Sequence, residues 1–280
     1  MNLSSYGRMW ILSAAWLVAL FLLLPGLVAI PVSLNDSRFI ALPQGSLSLR
    51  HFETMLSSGG WLSSMGQSAL IALASTVLAL TIGAACAIGL WRLGGRRAAA
   101  IAAVVLAPLI LPPIVSALGL YRAWVALGLY DTWLGVVIAH TILALPFVVI
   151  AVSTALSMLD PRLEQASRSL GAAPLTTVLR VIVPNIKTGL FTAAVFAFIV
   201  SWDEIVVTLF IAHRAVYTLP RRMWDGMRES VDPTVAAVAT LWIALTLIIV
   251  AGISVIQRRR RRAGRRAGRR APGSIDGSQA

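Results

Sequence analysis

The chain has one cysteine, one lysine and eleven carboxylates in 280 residues, and each scarcity removes a class of chemistry. Cys86 stands alone inside an apolar run, so there is no intramolecular disulfide, thiolate metal cluster or dithiol redox centre. Lys187, the single lysine, is preceded by Ile186, so the phosphate-binding loop G-x-x-x-x-G-K-[ST] does not occur. The three histidines, His51, His140 and His213, lie on different segments with no carboxylate at metal-ligand spacing, and no metal site or catalytic set is predicted. His140 lies inside an apolar run, where an ionisable group needs a partner. Charged residues make up 12%, against about 25% in a soluble domain.

What the chain has instead is apolar length. Hydrophobic residues make up 58% and the mean hydropathy is +0.83. About 20 apolar residues cross a bilayer, and six such runs are present, at 9–32, 68–90, 98–120, 134–156, 190–212 and 234–256. The first is too long for a signal-peptide core and no small-residue cleavage site follows it, so it is expected to remain as a span. No alternating strand pattern and no internal repeat is present. The expected fold is all-α, a polytopic membrane protein of six transmembrane helices over 1–257. Pro108, Pro112 and Pro113 are expected to interrupt the third span and Pro146 the fourth, as in helices that line a conduit.

The net charge of +13 is a topology signal more than a nucleic-acid one. Nine of the 24 basic residues lie in 258–270, which places that end in the cytoplasm, and six spans put the amino terminus on the same side. Arg92, Arg96 and Arg97 then also fall inside, whereas Arg214, Arg221, Arg222 and Arg228 fall outside, beside Asp225, Glu229 and Asp232. The tail, 258–280, is expected to be disordered and to face anionic lipid rather than RNA or DNA.

A polar stretch separates the fourth and fifth runs. Asp160 suits the cap of a helix, Pro161 its first position and Gly171 the left-handed residue that ends it. With Val181-Ile182-Val183-Pro184 downstream, the segment resembles the signature loop of ATP-binding-cassette importer permeases: E-A-A, three residues, G, nine residues, I-x-L-P. Both gaps match, Gly171 and Pro184 are the exact matches, and Val181 and Val183 stand where the signature has Ile and Leu. Gln165 stands where the signature has Glu, Ser167 where it has Ala, and the acid is displaced to Glu164. The resemblance implies the type I importer permease fold, with 157–189 as the loop that docks a separate ATPase through Asp160, Glu164, Gln165, Ala166, Gly171 and Pro184. ATP and magnesium would be held by that partner, and no cofactor is expected in this chain.

The fifth run contains Ser201-Trp202-Asp203-Glu204, two acids where membrane solvent makes them costly, which marks a pathway or a paired base. On a continuous helix Ser201, Glu204 and Thr208 share one face and Asp203 points away, so Glu204 is expected to line the path and Asp203 to pair helices. Leu219, Met223, Met227 and Val231 recur every fourth residue, an amphipathic helix that either rests on the membrane or, through Arg221, Met223, Trp224 and Asp225, touches an outer partner. The segment 49–56 predicts a second such helix at the outer mouth.

Ser201 to Val207, Thr218 to Gly226 and Ala139-His140-Thr141-Ile142-Leu143-Ala144-Leu145-Pro146-Phe147 are similar to the spermidine/putrescine importer permeases, second subunit type. That similarity implies a bacterial inner-membrane complex of two different permeases, two ATPases and a periplasmic substrate-binding protein, importing a polyamine by alternating access. Related permeases serve other organic amines, amino acids, aminoethylphosphonate, thiamine or ferric ion. An ion-coupled secondary carrier would use the intramembrane acids as ion sites, but it has no need of an ATPase-docking loop. A non-transporting scaffold leaves the broken helices and buried acids without a purpose.

Overall fold

The computed structural model describes residues 5–37, 39–43, 45–230 and 232–248. These residues are mostly helical, with no strand among them beyond a single antiparallel bridge between Asn35 and Leu47. The chain divides into two compact units. The first contains α1 (Ser5–Ser33), α2 (Arg50–Ser57) and α13 (Thr234–Ile248). The expected sixth span continues beyond α13 into residues outside those described, as does the basic tail. In α2, His51 and Met55 are buried, so this short helix is anchored rather than lying free on a surface.

The second unit, residues 58–228, holds the site. Its frame is α3 (Gly59–Leu93), α6 (Trp133–Ser157) and α10 (Lys187–Trp202). Their shared core uses small residues, Ala79, Ala87, Ala144, Ala193 and Ala197, with Val148, Val152, Leu156 and Ile182 filling the gaps. Small side chains let helix backbones approach closely, which is how packing holds helices together where lipid removes the hydrophobic drive. Gly189 meets Ala155 so closely that an added Cβ would lie 2.3 Å from the alanine Cβ.

Among the described residues three helices are long and apolar enough to cross a bilayer, or up to five if each sharply bent pair is one span. The expected third span is one of these pairs: α4 (Gly95–Ile110) and α5 (Pro113–Leu127) meet at 105°. Proline disfavours the helical region for the residue before it, and Leu111 and Pro112, each followed by a proline, are both extended, at ψ 134° and 137°. Pro108 does not break α4, and Pro146 does not interrupt the fourth span, contrary to the sequence expectation: α6 is continuous from Trp133 to Ser157. A lone proline removes one backbone donor, and the packing of α6 against α3 and α10 keeps the helix in register around it.

Candidate functional site

The polar loop folds as its residues dictate. In α7 (Pro161–Ser169) the Asp160 carboxylate accepts from Arg162 N at 2.9 Å, and Gly171 takes φ +82°. Gly171 N donates to Arg168 O at 2.9 Å and Ala172 N to Ser167 O at 3.2 Å, so a left-handed glycine closes the helix with two carbonyls satisfied. A short helix α8 (Pro174–Thr177), a wide turn at Val178–Ile182 and α9 (Val183–Asn185) follow, and the chain then turns 80° into α10. Ser167 and Thr177 share a hydroxyl hydrogen bond of 3.0 Å that ties α7 to α8. Gln165 and Ala166 are exposed, Pro184 is exposed, and Leu170 is 89% exposed.

Glu164 is the exception on α7. It forms an ion pair with Arg92 at the end of α3, 2.8 Å long, with the carboxylate 12% exposed. It is therefore engaged within the chain, where it ties α7 to the end of α3. Arg92 was read only as a topology marker, and nothing local connects two residues so far apart in sequence.

An open groove of about 800 Å³ runs between α6 and α10 down to α7, from Phe147 and Phe196 through Thr154 and Thr192 to Asp160 and Leu163. Its walls are mostly apolar with a few hydroxyls, a lining suited to a partner helix or a poorly solvated path.

The fifth span is broken where the acids sit. α10 ends at Trp202 and α11 (Val206–Ile211) begins after Asp203-Glu204-Ile205, so the acids lie in a break and not on a continuous helix. Glu204, half-buried, accepts from Val207 N at 2.7 Å: its carboxylate caps the new helix, because a break leaves amide donors that need an acceptor. Asp203 is exposed rather than pairing helices. Ser201 and Thr208 are buried against α6, each bonded to His140, at 2.9 Å to Nδ1 and 3.0 Å to Nε2, so they do not line an open path. Trp202 stacks on Phe198 with ring centroids 5.7 Å apart.

Beyond the break, α12 (Leu219–Asp225) packs on the first turns of α3 instead of resting on a surface, and it passes into a wide turn at Gly226–Ser230. Leu219 is buried, and its amide donates to Ser68 Oγ. Arg222 Nε donates to Ser64 Oγ at 2.8 Å, and its guanidinium lies over Trp61 and Tyr217. Arg221 donates to Ala212 O at 2.7 Å and lies over Tyr217, whose hydroxyl donates to Asp225. Arg221 and Asp225, expected to contact an outer partner, are thus engaged internally; Met223 is half-buried, and Trp224, under Arg228, keeps 37% of its surface exposed. Val231 lies outside the described residues.

A contact that sequence reasoning missed fixes this end. Asp131 takes a left-handed φ of +53°, and its carboxylate accepts from the amides of His213, Arg214 and Ala215 at 2.7 to 3.2 Å. Its partial burial alone would raise the pKa, but the three amides together hold it below the ordinary carboxylate value. Sequence distance hides this clamp, since the partners are 82 to 84 residues away.

The structure thus sets a capped, exposed helix between two apolar helical segments, the second of which is broken at two acids, and comparison with known proteins gives the family. Residues 79–262 match the family described as the binding-protein-dependent transport system inner membrane component. The chain belongs to this family. It is a permease of an ABC importer. It is 26% identical, over 86% of its length and 91% of the relative, to the spermidine/putrescine transport system permease protein PotC of Escherichia coli K12. To the putrescine transport system permease protein PotI of the same organism it is 28% identical, over 79% of this chain and 81% of that one. A probable molybdenum ABC transporter permease of Haloferax volcanii is 34% identical over 56% of this chain and 61% of its own. In fold the chain is similar to a subunit of a bacterial ABC transporter that imports alginate, with TM-score 0.68, 17% identity and coverage of 92% and 99%.

Proposed function

We propose that the chain is one of two permease subunits forming a path for a small organic cation, a polyamine of the spermidine or putrescine kind, into a bacterial cell. The similarity to PotC and PotI along most of the chain carries the reading, and the acids at the helix break supply its chemistry. A polyamine brings several positive charges into a region of low dielectric, where an unpaired cation is expensive, and a carboxylate on the route lowers that cost. Asp203 is exposed at the break and Glu204 half-buried beside it, so both are candidates to meet the cargo, with Trp202 adjoining.

Energy enters in trans. No phosphate-binding loop occurs in the sequence, and α7 offers an exposed surface with Gln165, Ala166 and the bare apolar Leu170 to an ATPase dimer, which would hold ATP and magnesium. A second permease and a periplasmic binding protein complete the complex. The tail arginines favour a cytoplasmic carboxy terminus, and an even number of spans, as the six apolar runs of the sequence suggest, would bring the amino terminus to the same side.

The test is uptake of radiolabelled spermidine by proteoliposomes holding the whole complex. Glu204→Gln keeps an oxygen to cap Val207 and removes only charge, so uptake is expected to fall by about tenfold, roughly 1.4 kcal/mol. Asp203→Asn lowers uptake without lowering yield, since the exposed side chain supports no packing. No spermidine uptake by the wild-type complex, or molybdate as the sole cargo, overturns the reading.

A further inference from the structure

His140 is fully enclosed in α6, with 1% of its surface exposed, and takes no part in the transport reading given above. Its two ring nitrogens reach two hydroxyls on opposite sides of the break in the fifth span: Nδ1 to Ser201 in the last turn of α10, Nε2 to Thr208 in the first turn of α11. Between them lie the residues that carry the acids.

The proton arrangement follows from the donors and acceptors available. Thr208 Oγ1 lies 3.3 Å from Glu204 O, to which it donates, so its lone pair is left to accept from Nε2–H. A neutral imidazole with its proton on Nε2 has an acceptor at Nδ1, and the Ser201 hydroxyl donates there. One chain of donation therefore runs from Ser201 through His140 and Thr208 to the carbonyl of Glu204. It holds the start, the end and the second acid of the break from a single side chain. Such a network, fully satisfied and buried, fixes one geometry.

We propose that His140 is a positioning residue for transport: it pins the two halves of the broken span so that Asp203 and Glu204 stay presented to the cargo, and it touches no cargo itself. An apolar side chain at this position could fill the same space, but it could not bridge the hydroxyls of Ser201 and Thr208 as the two nitrogens of one ring do. The proposal rests on the polyamine reading for its transport consequence and on geometry alone for the pin.

Two readouts separate these. In full complexes with Cys86→Ser, a single cysteine replaces half-buried Ile205 and its labelling rate by a maleimide is measured. Ser201→Ala and Thr208→Val each raise that rate by about fivefold, the change expected on losing one ordinary hydrogen bond, His140→Ala, which loses both bonds, raises it by more than either, and His140→Ala with Thr208→Val together exceeds His140→Ala alone by less than twofold. This arm needs no cargo. In the second arm, spermidine uptake by His140→Ala shows a raised KM with binding-protein-stimulated ATP hydrolysis near the wild-type rate. Unchanged labelling at position 205 in His140→Ala, or independent effects of the two substitutions, overturns the pin. Altered labelling with unchanged KM overturns its role in transport, while absence of wild-type uptake refutes only the polyamine reading.

Discussion

Gly189→Ala tests the closest approach in the frame. A Cβ built on Gly189 lies 2.3 Å from Ala155 Cβ, whereas carbon atoms in contact rest at about 3.5 to 4.0 Å. The nearest atoms are the alanine Cβ and Cα and the Ala151 carbonyl, none of which has a rotamer to retreat into, so α10 must move about 1.2 to 1.7 Å off α6 at that level. Overpacking of this kind costs about 1 to 3 kcal/mol. Gly189 and Ala155 also line the groove that leads to α7, so the displacement widens the groove where the docking loop enters the membrane body. The assay is thermal unfolding of the purified complex, together with ATP hydrolysis stimulated by its binding protein. The variant is expected to melt several degrees lower and to lose most of the stimulation. Gly89→Ala, with open space around its Cβ, is the control for a glycine change in a helix and is expected to be neutral or slightly stabilising. A Gly189→Ala complex that melts and hydrolyses ATP like the wild type would refute the close packing of α6 on α10.

Two further outcomes are expected. Arg92→Glu or Glu164→Arg each breaks the pair that holds α7 to α3 and lowers ATPase retention on purified complexes, by about 1 kcal/mol in keeping with a partly exposed pair, and the double exchange restores at least half of the loss. Asp131→Asn removes a carboxylate whose folded pKa is depressed, so its contribution is present above the ordinary value of 3.8 and is lost as pH falls through the lower folded value; the difference in melting temperature between wild type and variant should be constant near neutral pH and close at strongly acid pH, and a difference that grows on acidification would contradict the clamp.

Local chemistry was legible and long-range pairing was not. Asp160, Pro161 and Gly171 each specify a helix position through their own backbone or side chain, so α7 lies where the sequence puts it. The double proline at 112 and 113 announces a break for the same reason. The break at Asp203 was invisible, because the apolar run continues across it and an apolar count carries no phase. A continuous helix puts Glu204 on the face of Ser201 and Thr208; those two do share His140, but the break turns the Glu204 carboxylate to cap α11. His140 could be recognised as needing a partner, but its partners lie 61 and 68 residues on, and neither spacing nor polarity singles them out from other hydroxyls. The amphipathic pattern of α12 shows that one face is apolar without showing what covers it, and the cover is the start of α3.

One element connects the separate features of the site. α6 runs unbroken from the Asp131 clamp at one end to the polar loop that carries α7 at the other, with His140 in between and Ala155 in its last turns. From His140 to Ser157 is about 26 Å at the rise of an α-helix. Along that length the helix is packed against α3 and α10 by small residues, and close-packed interiors transmit a displacement rather than absorb it. Pro146 is the place where the rod has lost a hydrogen bond and where any bend would concentrate. On the proposed reading, a push delivered at α7 by an ATPase reaches the acids at the break by two contacts in series, the α6–α10 seam at Gly189 and the pin at His140. Loosening the seam disconnects the loop from the body, so stimulation of ATP hydrolysis is lost with transport. Loosening the pin leaves the loop coupled and misplaces only the acids, so hydrolysis continues while cargo is handled poorly. The two variants thus fail differently, and the order of the contacts along α6 is the reason.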